Sequence, residues 1–382
     1  MAQDPQREWK VLVQGEGISE GVESMKDTVL LLDNDDVRKV FEVESCLKAL
    51  EQAYVAQARG RAVVQPRTQS YVPLDEPELF YCLKSMNGAL FDGDYMALRI
   101  TSDIVSEANV DGVPRRDKLA RGPGGTYCGL IMLFSLRHLA PVAIIHDGYL
   151  QIYRVACTSA LGARLLARED AGDLGLIGSG GQAWAHLVAM NAVFGLRRVR
   201  LFSPTREHRD AFARRARDEL GIAVETVSSA RAAVDGADLV VAATNASRPV
   251  VEGAWLAPGT HVTSIVSSDD KTPRREIDDE ALRRAAVVVA HSKALARSQH
   301  QGDLCEPVAA GILCWEDVHD LSRVVAGEVP GRGSRDDITV FKNNVGLGLQ
   351  FAAVAPPVYE RARDAGIGRE LPAAWFLESL KP

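Results

Sequence analysis

The chain has 382 residues, 46% apolar and 25% charged, with a net charge of -7; this is an ordinary globular composition at a length that suits two domains. The mildly acidic balance leaves no clustered basic excess for nucleic acid, and the runs Arg197-Arg198 and Arg274-Arg275 read as solvated element ends. No apolar run approaches the ~20 residues that span a bilayer, and Met1 to Lys10 is polar without a hydrophobic signal core, so the expectation is no membrane partner and a cytoplasmic location.

A short strand is predicted around Val11 to Val13. A helix follows from about Glu44 to Ala58, where Leu47, Leu50, Ala53, Tyr54 and Ala58 form the stripe of a helix resting on a core. Val63-Val64, Leu79 to Leu83, Tyr95 to Ile100, Leu130 to Phe134 and Val142 to Ile145 are short apolar segments separated by Gly, Pro, Asp and Asn clusters, as in a meandering sheet. Arg115 to Gly125 reads as a flexible loop. Helical periodicity returns from Gln151 to Ala167.

The texture then alternates. Asp173 to Ile177, Val199 to Phe202, Leu239 to Ala243, His261 to Val266 and Val287 to Ala290 are short Val-rich strands, with helices at Gln182 to Phe194 and Thr205 to Glu219. That rhythm predicts a doubly wound parallel sheet. After about Lys293 it is lost, and a long helix, roughly Gly346 to Ala365, is expected to return to the first domain.

Between the first of these strands and its helix lies Gly178-Ser179-Gly180-Gly181-Gln182-Ala183. A glycine pattern alone is weak, but here a strand runs in and a helix runs out. Gly178 permits the tight turn, Gly180 lets backbone approach a pyrophosphate, and the N–H groups at the helix start hold the phosphates. The competing reading is a plain βα turn with spare glycines.

The next strand ends in Phe202-Ser203-Pro204-Thr205-Arg206. An NAD site usually carries a carboxylate there for the ribose 2′-hydroxyl. Ser203, Thr205 and Arg206 suit a 2′-phosphate instead, so NADP(H) is expected to be preferred, with NAD(H) possible. Ser203-Pro204 as a helix cap with proline at the first position is the alternative.

The six cysteines are scattered without a C-x-x-C pair and are expected to be free thiols; Cys157 beside Arg154 lacks a visible activating partner. None of the eight histidines has metal-ligand spacing, so no metal is expected, and His186 reads as packed.

The glycine turn, Gly236 to Val240, Ala243-Thr244-Asn245, Trp255, Pro258-Gly259 and His261 together resemble the ornithine cyclodeaminase and mu-crystallin family. Gln65-Pro66-Arg67-Thr68, Asp147-Gly148 leading to Arg154, and Thr339-Val340-Phe341-Lys342 extend the resemblance over nearly the whole chain. It implies an α/β fold, with a Rossmann sheet inserted into an N-terminal α+β substrate-binding and dimerisation domain completed by a C-terminal helix. The expected boundaries are 1–165, with 320–382 returning to it, and 166–319 for the nucleotide domain. A homodimer is implied.

The resemblance also implies site residues. Arg67 and Arg154 match the family's carboxylate-binding arginines, against the plainer reading of surface salt bridges. Gly178, Ser179, Gly180, Gly181, Gln182, Thr244 and Asn245 fall in its nucleotide-binding stretches. Arg99 stands where the family usually has a lysine. Because arginine stays charged, proton transfer should pass to another group. Lys84 is the candidate, since strand alternation could aim it at the same cleft, although a surface lysine is equally compatible. Asp269 matches the family's acid–base aspartate, with Asp270 as the alternative because the loop carries one extra residue.

The expected function is NAD(P)-dependent reduction of an imine to an amine, or the reverse, on a small amino, imino or keto acid. Redox-neutral cyclodeamination of ornithine or lysine with bound NAD is the first alternative. A non-catalytic nucleotide-binding protein of the mu-crystallin kind is the second.

Overall fold

The computed structural model describes residues 27–110, 113–268, 274–344 and 346–378; the strand expected at Val11 to Val13 lies outside them. Two sheets organise the chain. The first collects β1 (Thr28–Leu32), β2 (Ala62–Val64), β3 (Thr68–Pro73), β4 (Leu79–Leu90), β5 (Tyr95–Val110), β6 (Val113–Leu119), β7 (Cys128–Ser135) and β8 (Pro141–His146). β4, β5, β7 and β8 form an antiparallel run; β1 lies parallel to β8 and is edged by Arg369–Pro372, while β3 pairs with β4 and β6 with β5.

Three of these strands, β1, β3 and β6, were not expected. β1 joins the sheet ahead of the first predicted helix. β6 occupies the first half of the stretch read as a loop, pairing Arg116 with Glu107 and Lys118 with Val105 of β5. Its charged residues hid it, yet an edge strand keeps one side open to solvent and tolerates them. Along β5 the side chains alternate. Arg99, Thr101, Asp103 and Val105 are buried, whereas Leu98, Ile100 and Ile104 are half-buried on the outer face.

The second sheet contains β9 (Asp173–Ile177), β10 (Arg198–Phe202), β11 (Val224–Thr226), β12 (Leu239–Ala242), β13 (His261–Ser264), β14 (Ala285–Ala290), β15 (Val318–Asp320) and β16 (Ile338–Lys342). All are parallel, in the order β11-β10-β9-β12-β13-β16-β14-β15. The chain winds outward from β9 in one direction and resumes at β12 in the other, which makes the gap between them the switch point where such sheets bind ligands. The return to the first sheet therefore begins later than residue 320. β15 and β16 belong to the parallel sheet, and it is the helix Gly348–Asp364 and the edge strand Arg369–Pro372 that go back. Thr339 to Lys342 looks like a lead into that helix, but its five-residue strand is wholly buried between β13 and β14.

Helix Asp147–Leu166 joins the two sheets. It is capped by His146, whose Nδ1 accepts the Gly148 N–H, and small residues (Ala156, Cys157, Ala160, Gly162, Ala163) let both layers approach it. Helix Gly348–Asp364 reaches β4 through glycine on both sides. A Cβ on Gly348 would lie 2.1 Å from the Asn87 carbonyl oxygen, and one on Gly88 2.4 Å from the Leu349 nitrogen. No side chain fits between those backbones. The core runs through both sheets and this helix pair, and each fully buried Leu, Ile or Phe in it contributes roughly 1.5–3 kcal/mol. Among the described residues no helix is long and apolar enough to cross a membrane.

Candidate active site

β9 delivers the chain into the glycine turn. Gly178 has φ +113°, and a Cβ there would sit 2.3 Å from the Ala243 carbonyl oxygen at the end of β12. Its N–H donates to the Phe202 carbonyl at 2.8 Å, so the turn is tied to strands on either side. Gly180 is the cap position of helix Gly181–Phe194, and no side chain caps that end. A Cβ on Gly180 would meet nothing within 4 Å, leaving the approach to the helix's first N–H groups open.

Ser179 donates to Ser203 Oγ at 3.0 Å, and Ser203 is buried. The alternative of Ser203 as a helix cap fails, because the helix begins two residues later than that reading needs, at Arg206 with Thr205 in the cap position, and no side chain caps it. Thr205 and Arg206 are exposed, and Arg206 faces Asp210 across 3.6 Å, an open i,i+4 contact of little energy. Gln182 Oε1 is buried without a partner among the described residues. Thr244 is already committed, its N–H and hydroxyl both donating to Glu276 Oε1 at 2.7 and 2.8 Å. Asn245 Nδ2 lies 3.4 Å from Asp117 Oδ1 on β6, so the antiparallel hairpin reaches the nucleotide loops.

The inner face of the first sheet gathers cations. Register places Met86 opposite Arg99 and Lys84 opposite Thr101. Arg67, just before β3, shares a corner with Met86: a Cβ on Gly346 would lie 3.3 Å from Met86 Sδ and 3.5 Å from Arg67 Nη1. Arg99 grips Asp147 with two parallel bonds, Nε to Oδ1 at 2.9 Å and Nη2 to Oδ2 at 2.6 Å, both side chains being buried. Arg154 lies in the third turn of helix Asp147–Leu166 at 3% exposure. It donates to Gln350 Oε1 at 2.7 Å and Asn344 Oδ1 at 3.2 Å. Phe351 stands between the two guanidinium groups, 5.1 Å from Arg99 and 5.3 Å from Arg154. Burial, then repulsion from Arg99 and Arg67, pushes Arg154 down to about 9.

Lys84 is on the inner face as alternation suggested, not on the surface. Its Nζ is 3.5 Å from Asp103 Oδ2, which Lys118 also approaches at 3.0 Å. Burial first, then Lys118, pushes its ammonium down to about 8 against the attraction of Asp103. Asp269 and Asp270 lie outside the described residues; the flanking Arg274 N–H donates to Ser268 Oγ at 3.0 Å. His186 is packed, bonded to the Gln182 carbonyl and Ser159. Cys157 is buried against Cys46, whose hydrogen bond, with burial, pushes its thiol up.

Sequence reasoning missed a buried charge cluster at the ends of β13 and β16. Glu276 accepts the N–H groups of Thr244, Ile265 and Val266, each at 2.7 Å, and the Ser264 hydroxyl at 2.9 Å. Lys342 Nζ, fully buried, donates to Asp303 Oδ2 at 2.8 Å. Burial pushes Glu276 up, while for Asp303 Lys342 overcomes burial and holds the carboxyl below its usual range. The cluster locks the Thr244 loop to the loop after β13. A charged residue closing the apolar run Ile338 to Phe341 was the available signal.

Fold and site together define an α/β protein with a nucleotide-type turn on its parallel sheet and buried guanidinium groups at its antiparallel sheet. The profile of the ornithine cyclodeaminase/mu-crystallin family matches residues 109–366, and the chain belongs to that family. It is 33% identical over 260 residues, 68% of this chain and 78% of the relative, to a Delta(1)-pyrroline-2-carboxylate reductase of Bacillus cereus. The structure of the Thermococcus litoralis Delta(1)-pyrroline-2-carboxylate reductase in complex with NADH and L-proline superposes with a TM-score of 0.78 at 29% identity, covering 90% of this chain and 100% of that one. An archaeal alanine dehydrogenase dimer with bound NAD gives 0.76 at 26% identity, covering 90% and 99%.

Proposed function

We propose that this protein is an NAD(P)-dependent oxidoreductase acting on the C–N bond of a small amino or imino acid. The observation that carries this is Arg154: a buried guanidinium beside two others, held by neutral amides, with no carboxylate bonded to it among the described residues. Such a group is stabilised by an incoming anion. Arg99 is different, since Asp147 already neutralises it.

Arg154 and Arg67 hold the substrate carboxylate, and Arg99, fixed by Asp147, shapes the wall beside it without exchanging protons. Lys84 or Asp269 carries the proton to and from the substrate nitrogen; the depressed ammonium of Lys84 suits that exchange near neutral pH. Gly178, Ser179, Gly180, Gly181 and Gln182 suit a dinucleotide pyrophosphate, with Thr244 and Asn245 bordering the nicotinamide end. A bound pyridine nucleotide supplies or accepts the hydride at the substrate's α-carbon. NADP(H) is preferred, NAD(H) accepted: Ser203, Thr205 and Arg206 occupy the end of β10 with no carboxylate among them, while the related structures named above carry NADH and NAD.

The protein works in the cytoplasm as a homodimer. Six free thiols support the first. The second is supported by the half-exposed outer face of the first sheet, where Leu98, Ile100, Leu130, Met132, Phe134 and Ile144 lie together. The test follows NADH and NADPH absorbance with Δ1-pyrroline-2-carboxylate, and with pyruvate plus ammonia, for the wild type and Arg206→Ala. Turnover with a higher NADPH KM in Arg206→Ala supports the reading. Proline and ammonia formed from ornithine without net cofactor change would replace it with cyclodeamination, and nucleotide binding without turnover would replace it with a binding protein.

A further inference from the structure

Four segments distant in sequence meet behind Arg154. Gln350, on the returning helix, accepts from Arg154 through Oε1 and donates through Nε2 to Thr158 Oγ1 at 2.6 Å and Tyr54 Oη at 3.1 Å. The Thr158 hydroxyl donates to the Arg154 carbonyl at 2.8 Å, so toward Gln350 it acts as acceptor. Tyr54 Oη, which accepts from Gln350, is also hydrogen-bonded to His291 Nε2 at 2.8 Å. Burial pushes His291 down to about 3, so the ring is neutral, and its Nδ1 has no partner among the described residues. Because the Thr158 proton is committed to the Arg154 carbonyl, its oxygen can only accept from Gln350, and one orientation of the Gln350 amide satisfies both Thr158 and Arg154. The flipped amide would point N–H groups at a guanidinium.

Asn344 repeats the arrangement. Its Nδ2 donates to the Ile265 carbonyl at 3.0 Å, which leaves Oδ1 for Arg154. Two carboxamides, each with its donor end engaged elsewhere, thus aim their oxygens at one guanidinium. A neutral oxygen orients the fork without cancelling its charge, and two of five N–H groups are used. Asp147 shows the opposite choice on Arg99, where a carboxylate both orients and neutralises.

We propose that Gln350, held by Tyr54 and His291, is a positioning residue that presents Arg154 as an oriented yet uncompensated cation for the substrate carboxylate. The inference rests on the assignment of Arg154 as carboxylate ligand. It also ties the substrate clamp to the nucleotide domain, because His291 follows β14 and its N–H donates to the Lys342 carbonyl of β16 at 2.8 Å.

The test compares Gln350→Glu, Tyr54→Phe and Arg154→Lys, with Δ1-pyrroline-2-carboxylate and NADH as probes, reading KM, kcat, NADH Kd and melting temperature. Glutamate at 350 pairs with Arg154 as Asp147 pairs with Arg99. The expected result is a KM raised about tenfold or more, with kcat and NADH Kd near wild type and an undiminished melting temperature. Structural damage does not produce that combination. Tyr54→Phe frees the Gln350 amide to turn and is expected to raise KM about threefold. Should Gln350→Glu fail to fold, Tyr54→Phe decides alone. A wild-type KM in Arg154→Lys, or no binding of the probe by the wild type, overturns the Arg154 assignment itself. A raised KM in Arg154→Lys with wild-type KM in the other two overturns only the proposal, as does a loss of kcat and NADH affinity in step with KM.

Discussion

Two glycines two residues apart should respond oppositely to the same methyl group. At Gly178 the backbone is at φ +113°, and the new Cβ would lie 2.3 Å from the Ala243 carbonyl oxygen. That carbonyl cannot drift away, because the Ala243 N–H is held by the Ile177 carbonyl at 2.8 Å. The unfavourable dihedral costs about 1–3 kcal/mol and the displaced backbone adds a comparable amount, so Gly178→Ala loses roughly 2–6 kcal/mol of stability. At Gly180, φ is -85° and the added Cβ meets nothing within 4 Å. Gly180→Ala should therefore fold as well as wild type or gain about 0.5 kcal/mol from a stiffer unfolded chain. On the proposed phosphate site, the methyl would stand where the backbone approaches the pyrophosphate. Loss of close backbone approach should weaken NADH binding about tenfold to thirtyfold, ~1.4–2 kcal/mol. Urea unfolding and NADH fluorescence titration read the two effects separately. Wild-type NADH affinity in a folded Gly180→Ala would refute the placement of the phosphates on this turn, and a wild-type unfolding midpoint in Gly178→Ala would refute the steric argument.

Removing Arg99 strands the buried Asp147 carboxylate. Arg99→Ala should lose about 3–5 kcal/mol in denaturant unfolding, and Asp147→Asn should restore part of it, whereas a loss under about 1 kcal/mol would show the pair to be dispensable. For Lys84 as proton donor, imine reduction needs the ammonium, so kcat/KM should fall as pH rises through about 8. Lys84→Gln should abolish that limb and slow the reaction roughly 10²- to 10⁴-fold; an unchanged profile assigns the proton elsewhere. Burial holds His186 near about 4 and His261 and His291 near about 3, all neutral when folded. Their folded pKa values lie below the unfolded value of roughly 6.5, so stability is level above that pH and declines below it. At pH 5.5 each costs about 1.4 kcal/mol. Equal urea midpoints at pH 7 and pH 5.5 would contradict this.

Much of the fold was legible where structure is imposed locally. The glycine turn announces itself because a positive φ and close backbone approach are demands on single residues. Helix Val43–Ala58 and most of the parallel strands show their period directly. β6 and β11 did not, since one is charged along an open edge and the other only three residues long. β16 was assigned to the wrong domain, because five buried residues carry no mark of which sheet receives them.

The same division separates the site residues. Sequence alone placed the turn and, through the family resemblance, named Arg67, Arg99 and Arg154. It also put Lys84 among the residues alternating toward the inner face. Tertiary structure decided what each charge means. Arg99 finds a carboxylate 48 residues away and is neutralised, while Arg154 finds an amide 196 residues away and keeps its charge. Glu276, Asp303 and Lys342, which lock the loops at the strand ends, became a unit only when their separate segments were packed together. A side chain's chemical type is written in the sequence, but its protonation, partner and orientation depend on what folding brings within hydrogen-bond reach and removes from water.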